Sequence, residues 1–188
     1  MSPRLVLVSR WRLDTTRERL WELLSHPEHW PGWWPHLASV EPLAPGNADG
    51  IDARRRFRWR SGLGYGFSVV MTTIRSERLR EIEAAAAGDL RGIGLWVIDE
   101  DAPGAVRLTY RWDVELAKPW MRLAAPLLRP VFAWRHFAVM ASGARGMARR
   151  LGCRLGEIEE WSTITCLAPN ETAPRAGGPL PGVSGDSR

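Results

Sequence analysis

Three of the four histidines, His26, His29 and His36, lie within HPEHWPGWWPHL, residues 26–37, together with Trp30, Trp33 and Trp34 and three prolines. Imidazoles so close together raise the question of zinc. A structural zinc site needs four ligands, and a catalytic one needs three plus a water, each ligand held by further hydrogen bonds. Here a proline adjoins two of the histidines and no cysteine is near, so the stretch reads as exposed or helix-capping histidines with no metal. The tryptophans pose a different question: on a proline-stiffened corner they either plug a core or line the mouth of a pocket. The fourth histidine, His136, sits in WRHF. An imidazole there can hydrogen-bond a carbonyl or move a proton near neutral pH. Its candidate polar partners are the two tyrosines, Tyr65 and Tyr110. The competing reading is a boundary histidine bonded to backbone, because no partner is visible in the chain around it.

Other chemistries find less support. RRRFRWR, residues 54–60, interleaves cations with rings as single-strand nucleic-acid binders do,. Strand alternation, however, sends Phe57 and Trp59 to one face and Arg54, Arg56, Arg58 and Arg60 to the other. A solvated arginine face is therefore expected and no nucleic-acid partner. GLGYG lacks the strand-to-helix context of a phosphate loop, and no nucleophile has an evident base. Asp113 and Glu115 alternate outward with Arg111, away from any paired-carboxylate site.

The elements that must position these groups follow from periodicity. RLVLVSRWRL (4–13) reads as a strand. A helix follows, with Thr15 and Glu18 at capping-box spacing and Leu20, Trp21 and Leu24 on one face. Pro27 ends it. About six strands then alternate with short turns: 38–46, 53–60, 65–74, 79–87, 93–100 and 106–116. In the last, Leu108, Tyr110, Trp112, Val114 and Leu116 face one way. From Pro119 to about Gly152 the period returns to 3.6, with a stripe of Leu123, Leu127, Pro130, Trp134, Phe137, Ala141, Ala144 and Ala148. Pro126 and Pro130 are expected to kink or break this helix. Residues 157–188, ending in Pro, Gly and Ala, are expected to form a mostly disordered tail beyond a domain of residues 1–156.

Composition sets the outer bounds. The chain has 188 residues, 45% hydrophobic and 25% charged, enough for one domain with a substantial core,. The net charge is +5, with Lys118 the single lysine. Two cysteines without zinc or CxxC spacing point to free thiols in a reducing compartment, and a cytoplasmic location is expected,. The most apolar stretch, 119–141, contains Arg122, Arg129, Arg135 and His136, so no membrane span is expected. Oligomeric state is not readable.

The order strand, helix, Trp/Pro corner, antiparallel strands and long C-terminal helix resembles the SRPBCC superfamily, which includes START lipid-transfer domains and the birch-pollen-allergen fold. Its polyketide cyclase/dehydrase branch is the most similar. The residues that carry the resemblance are HPEHWPGWWP, FRWRSGLGY, GDLRGIGLW, VRLTYRWDVE and KPWMRLAAPLLRPVFAWRHFAVM, between about residue 4 and residue 153. The resemblance implies an α+β helix-grip fold: a curved antiparallel sheet of about seven strands around a long C-terminal helix, with two short helices after the first strand. It also implies a cavity for an apolar or aromatic small molecule, polyketide- or lipid-like, with no cofactor. On this expectation His136, Tyr110 and Tyr65 supply the polar roles. Trp30, Trp33, Phe57, Trp59, Trp112, Trp134, Phe137 and Met140 supply the walls. The reading divides between a polyketide cyclase/dehydrase, a non-catalytic lipid or quinone carrier or sensor, and a basic interaction module.

Overall fold

The computed structural model describes residues 4–60, 66–115 and 119–165, with 119–129, 164 and 165 described by backbone alone. Eight strands form one antiparallel sheet: β1 (Arg4–Leu13), β2 (Leu37–Ala44), β3 (Arg54–Arg60), β4 (Gly66–Glu77), β5 (Glu81–Gly88), β6 (Arg91–Ala102), β7 (Ala105–Glu115) and β8 (Leu155–Thr165). Their spatial order is β2-β3-β4-β5-β6-β7-β1-β8. The short connections of the meander place β2 to β7 side by side, and β1 closes onto β7. Between β1 and β2 lie α1 (Arg17–Ser25) and a 3-10 helix (Pro27–Gly32). A long helix, α2 (Pro119–Leu151), precedes β8. No helix of the described residues is long and apolar enough to cross a membrane.

Two sequence expectations change here. The sheet has eight strands, because EIEEWSTIT continues β8 to Thr165 and pairs it along β1 from Leu13 to Arg4. The ordered domain thus passes the expected boundary at residue 156. Charged residues on one side of an edge strand hide its alternation, which is why the segment reads as tail. The cap of α1 also differs. Thr16 is the N-cap, its hydroxyl accepting from the Arg19 N–H at 3.4 Å. Thr15, one residue earlier, is buried with its hydroxyl unpartnered. Consecutive threonines make the register of the box ambiguous until the chain direction is known.

Strand alternation builds the concave face in rows. In register, Ser9 lies opposite Tyr110, Tyr110 opposite Trp96, and Trp96 opposite Ile82. The adjacent row is Leu7, Trp112, Gly94 and Ala84. Large rings therefore alternate with very small residues across β5 and β6. Arg55 shares the inward side with Phe57 and Trp59, and its Nε donates to Glu28 at 2.5 Å, tying β3 to the 3-10 helix. Burial pushes the Glu28 carboxyl up, but the Arg55 hydrogen bond and charge outweigh it and hold the group below its ordinary value. On the outer face Val6, Val8 and Leu95 are buried. Arg4 and Arg111 flank Asp113 there, and Arg10 bonds Glu159 and lies over the Trp161 ring. Arginine stems covering apolar surface account for that burial.

Helix α2 runs without interruption through Pro126 and Pro130. Each proline removes one backbone donor from a helix of 33 residues, and the helix persists where a break was expected,. Its buried stripe is Ala133, Met140, Gly143, Ala144, Met147, Ala148 and Leu151. Of the stripe read in the sequence, Ala144 and Ala148 are buried, Phe137 and Ala141 are half-buried, Pro130 and Trp134 are exposed, and the side chains of Leu123 and Leu127 lie outside those described. Choosing the bulkiest residue at each turn misplaces the face. Where a helix must lie close to a sheet, small residues mark the contact.

Candidate functional site

Tyr110, in the middle of β7, and His136, on the inward side of α2, face one another with ring centroids 6.4 Å apart and planes 19° from parallel. The sequence places them on different elements 26 positions apart, and only the packing of α2 across the sheet brings them together. Tyr110 also stacks against Trp96 at 4.2 Å and Trp112 at 6.4 Å, and His136 meets Phe137 edge-on at 5.6 Å. The surroundings are thus apolar rings apart from the two titratable groups themselves.

That environment determines their protonation. His136 Nε2 is buried without a hydrogen-bond partner, and loss of hydration pushes the imidazole down to about 4. Burial likewise pushes the Tyr110 phenol up. At neutral pH the imidazole is uncharged and the phenol keeps its proton. Both rings are enclosed by protein yet retain some accessible surface. That remaining surface belongs to other ring atoms, for His136 Nε2 itself is fully buried.

Small residues give the tyrosine its room. A Cβ added at Gly94 would sit 2.8 Å from Tyr110 Oη and 3.3 Å from the Trp112 ring. Only glycine lets both rings lie over this part of β6. A polar group missed by the sequence reading is Ser9. It is fully buried, its Oγ lacks a partner, and it lies opposite Tyr110 in the β1–β7 register. The signal was present: Ser9 is the one polar residue in the inward series Leu5, Leu7, Ser9, Trp11, Leu13. A buried hydroxyl without a bond costs about 1–3 kcal/mol, so its presence among hydrophobes is informative.

The expected wall residues divide into two groups. Trp112 and Phe137 pack in one cluster with Tyr110, Phe67, Met71, Leu5 and Leu7. Trp30, Trp33, Phe57, Trp59 and Met140 belong to a second, tighter cluster around Trp11, Trp34 and Trp96. Trp134 is 65% exposed and joins neither, which removes it from the lining. Tyr65 lies outside the described residues.

The second cluster answers the question of the Trp/Pro corner. Trp30 Nε1 donates to the Leu23 carbonyl and Trp34 Nε1 to the Val139 carbonyl, each at 3.0 Å. Trp33 and Trp34 stack at 5.6 Å, and Trp34 stands edge-on to Trp59 at 5.2 Å. The corner fits against α2 at two glycines: a Cβ on Gly143 would collide with the Trp34 indole, and one on Gly146 with the Trp33 carbonyl. The tryptophans therefore anchor α2. His26 caps α1, its Nδ1 2.9 Å from the Glu22 carbonyl, and stacks on His29 at 6.0 Å. Among the described residues no three His, Cys, Asp or Glu side chains converge as a metal-binding group.

Comparison with known proteins then bears on the whole arrangement. A family model described as polyketide cyclase / dehydrase and lipid transport matches residues 7–152. Among solved structures, the chain resembles a protein from Thermus thermophilus with a TM-score of 0.64 at 21% identity, over 78% of this chain and 96% of that one. A START superfamily protein from Mycobacterium smegmatis gives 0.63 at 19% identity, over 78% and 97% of the two chains. The Zhui aromatase/cyclase from Streptomyces sp. R1128 gives 0.61 at 12%, over 79% and 94%. At these identities the likeness is one of fold. No curated protein matches the chain.

Proposed function

The chain belongs to the polyketide cyclase / dehydrase and lipid transport family, and we propose that it binds a hydrophobic or aromatic small molecule between the concave face of the sheet and α2. The observation that carries this reading is the Tyr110–His136 pair, two polar rings meeting 6.4 Å apart inside an otherwise apolar cluster. A pocket of this kind suits a ligand that is mostly ring or chain with one polar end. Tyr110 donates its phenolic hydrogen bond to a ligand carbonyl. The uncharged His136 accepts from a ligand hydroxyl or an acidic CH group.

With a polyketide-like ligand the same groups support cyclisation and dehydration. The apolar walls hold a flexible chain folded, so that a methylene carbon lies against a carbonyl. His136 takes the methylene proton as the carbon–carbon bond forms, and Tyr110 stabilises the oxygen that gains charge. His136 returns that proton to the new alkoxide, giving a hydroxyl, then takes the second methylene proton and delivers it to that hydroxyl, which leaves as water as the carbon–carbon double bond forms. An imidazolium formed in so dry a place is a strong acid, which favours that return.

The test is native mass spectrometry of the purified full chain with identification of whatever it carries, followed by incubation with that compound and with polyketide-like analogues. The expected result is a bound aromatic or lipid-like molecule, held more weakly in Tyr110→Phe. Product formation lost in His136→Ala with binding retained establishes the enzymatic form of the reading. Binding without turnover in the wild-type chain establishes carriage instead. Absence of binding to any apolar compound, measured by tryptophan quenching, overturns both.

A further inference from the structure

Helix α2 carries six arginines and no aspartate or glutamate over its 33 residues. Its buried face, centred on Ala133, Met140, Ala144 and Met147, is spoken for by the sheet. The opposite face has a pattern of its own. Val131, Trp134, Ala138, Arg145 and Arg149 recur at helical spacing within an arc of about 60°, and all five are exposed. Val131 is 53% and Trp134 65% exposed, the two most exposed large hydrophobics among the described residues. Towards the C-terminal end the same face turns basic. Arg145 and Arg149 on this face, and Arg150 about 100° further round the helix, make no salt bridge among the described residues, whereas Arg12, Arg55, Arg75 and Arg107 elsewhere are paired. Glu160 is a nearby carboxylate acting on Arg145, beyond salt-bridge distance. Arg149 and Arg150 also border a shallow cleft of about 360 Å³ shared with Pro31, Trp33 and Pro35.

We propose that this outer face of α2 docks onto an anionic lipid bilayer, lying in the interface without crossing it. Three features select a lipid surface over other occupants. An exposed indole, with its apolar body and single polar N–H, is suited to the headgroup boundary. The charge on the helix is of one sign throughout, as attraction to anionic lipid requires. The arginines, free of carboxylate partners on their own helix, remain available to phosphates, and the adjoining cleft gives a headgroup room beside two of them. The docking is independent of whether the protein catalyses a reaction. It would bring the helix that carries His136 to the place where an apolar ligand is dissolved.

The test is flotation of the full chain with phosphatidylcholine vesicles containing about one-third phosphatidylglycerol, against pure phosphatidylcholine, at low salt and at about 0.5 M salt, where screening shortens to a few ångströms. The expected result is binding to the anionic vesicles alone, largely released by salt. Arg145→Glu/Arg149→Glu/Arg150→Glu weakens it by about a hundredfold or more, given the contribution of each charge near such a surface. Trp134→Ala weakens it by about tenfold and keeps the wild-type thermal melt because the residue is exposed; Arg145→Gln/Arg149→Gln/Arg150→Gln, which puts no carboxylate at the C-terminal end of α2, also weakens binding and controls for the lower melt expected of the glutamate variant. Failure to bind anionic vesicles at low salt overturns the proposal. So does binding that survives these variants. Equal affinity for heparin with no loss in Trp134→Ala also overturns it, since the face would then be a general polyanion site.

Discussion

At the scale of single residues, His136 makes a definite statement about pH. Its imidazole is held near 4 in the folded protein, against an unfolded value of 6.5. Between those values the unfolded chain binds a proton that the folded chain does not. The stability contributed by the neutral ring is therefore complete above about pH 6.5 and lost progressively as pH falls towards 4, at no more than about 1.4 kcal/mol per pH unit for one proton. Carboxylates titrate in the same range, so the measurement is a difference: urea unfolding of wild type and His136→Phe from pH 7 to pH 4, with the variant expected to show the shallower decline. A parallel decline would remove the ring from a desolvated site. Ser9 gives a prediction about stability. Because its Oγ has no partner in the ligand-free protein, Ser9→Ala should leave stability unchanged or raise it by about 1 kcal/mol. A stability loss would show that the hydroxyl is satisfied in the free protein.

At the scale of elements, the seat of α2 on the Trp/Pro corner depends on two glycines and one indole hydrogen bond. Alanine in a helix is favoured over glycine by about 1 kcal/mol, so Gly146→Ala should stabilise if propensity ruled. The Cβ would instead meet the Trp33 carbonyl, a backbone atom that cannot swing aside. Overpacking of this kind costs about 1–3 kcal/mol or more, and the expected net result is destabilisation in chemical denaturation. Trp34→Phe removes the hydrogen bond to the Val139 carbonyl and part of a 2% exposed side chain. A loss of about 3 kcal/mol is expected from the two together. A smaller loss than Gly146→Ala would place the contact chiefly in the backbone of the corner.

At the scale of the molecule, the eighth strand completes the sheet. β1 lies between β7 and β8, and its register with β8 runs from Arg4↔Thr165 to Leu13↔Leu155. A chain ended at residue 156 would bare the backbone donors and acceptors of β1 and remove the Trp161 ring beneath Arg10. Such an edge pairs readily with other chains. The truncated chain is expected to melt lower than the full chain and to elute as aggregate in size exclusion. A monomer with an unchanged melt would show that β8 contributes little.

Most of the architecture, β8 excepted, is legible in the chain. Alternation in VRLTYRWDVE, the capped short helix and the 3.6-period stretch after Pro119 are local signals, because each element is held by its own backbone bonds and its own periodicity. Tyr110, Trp112, His136 and Phe137 could be named as candidates for the same reason, each sitting on an inward phase of its element. The tertiary structure alone decided which of them meet. Its choices included the pairing of Tyr110 with His136, the withdrawal of Trp134 to solvent and the assignment of Trp30 and Trp33 to anchoring. Such choices depend on how closely two surfaces approach, and on this chain that distance is set by glycines and alanines, which hydrophobic patterning does not see.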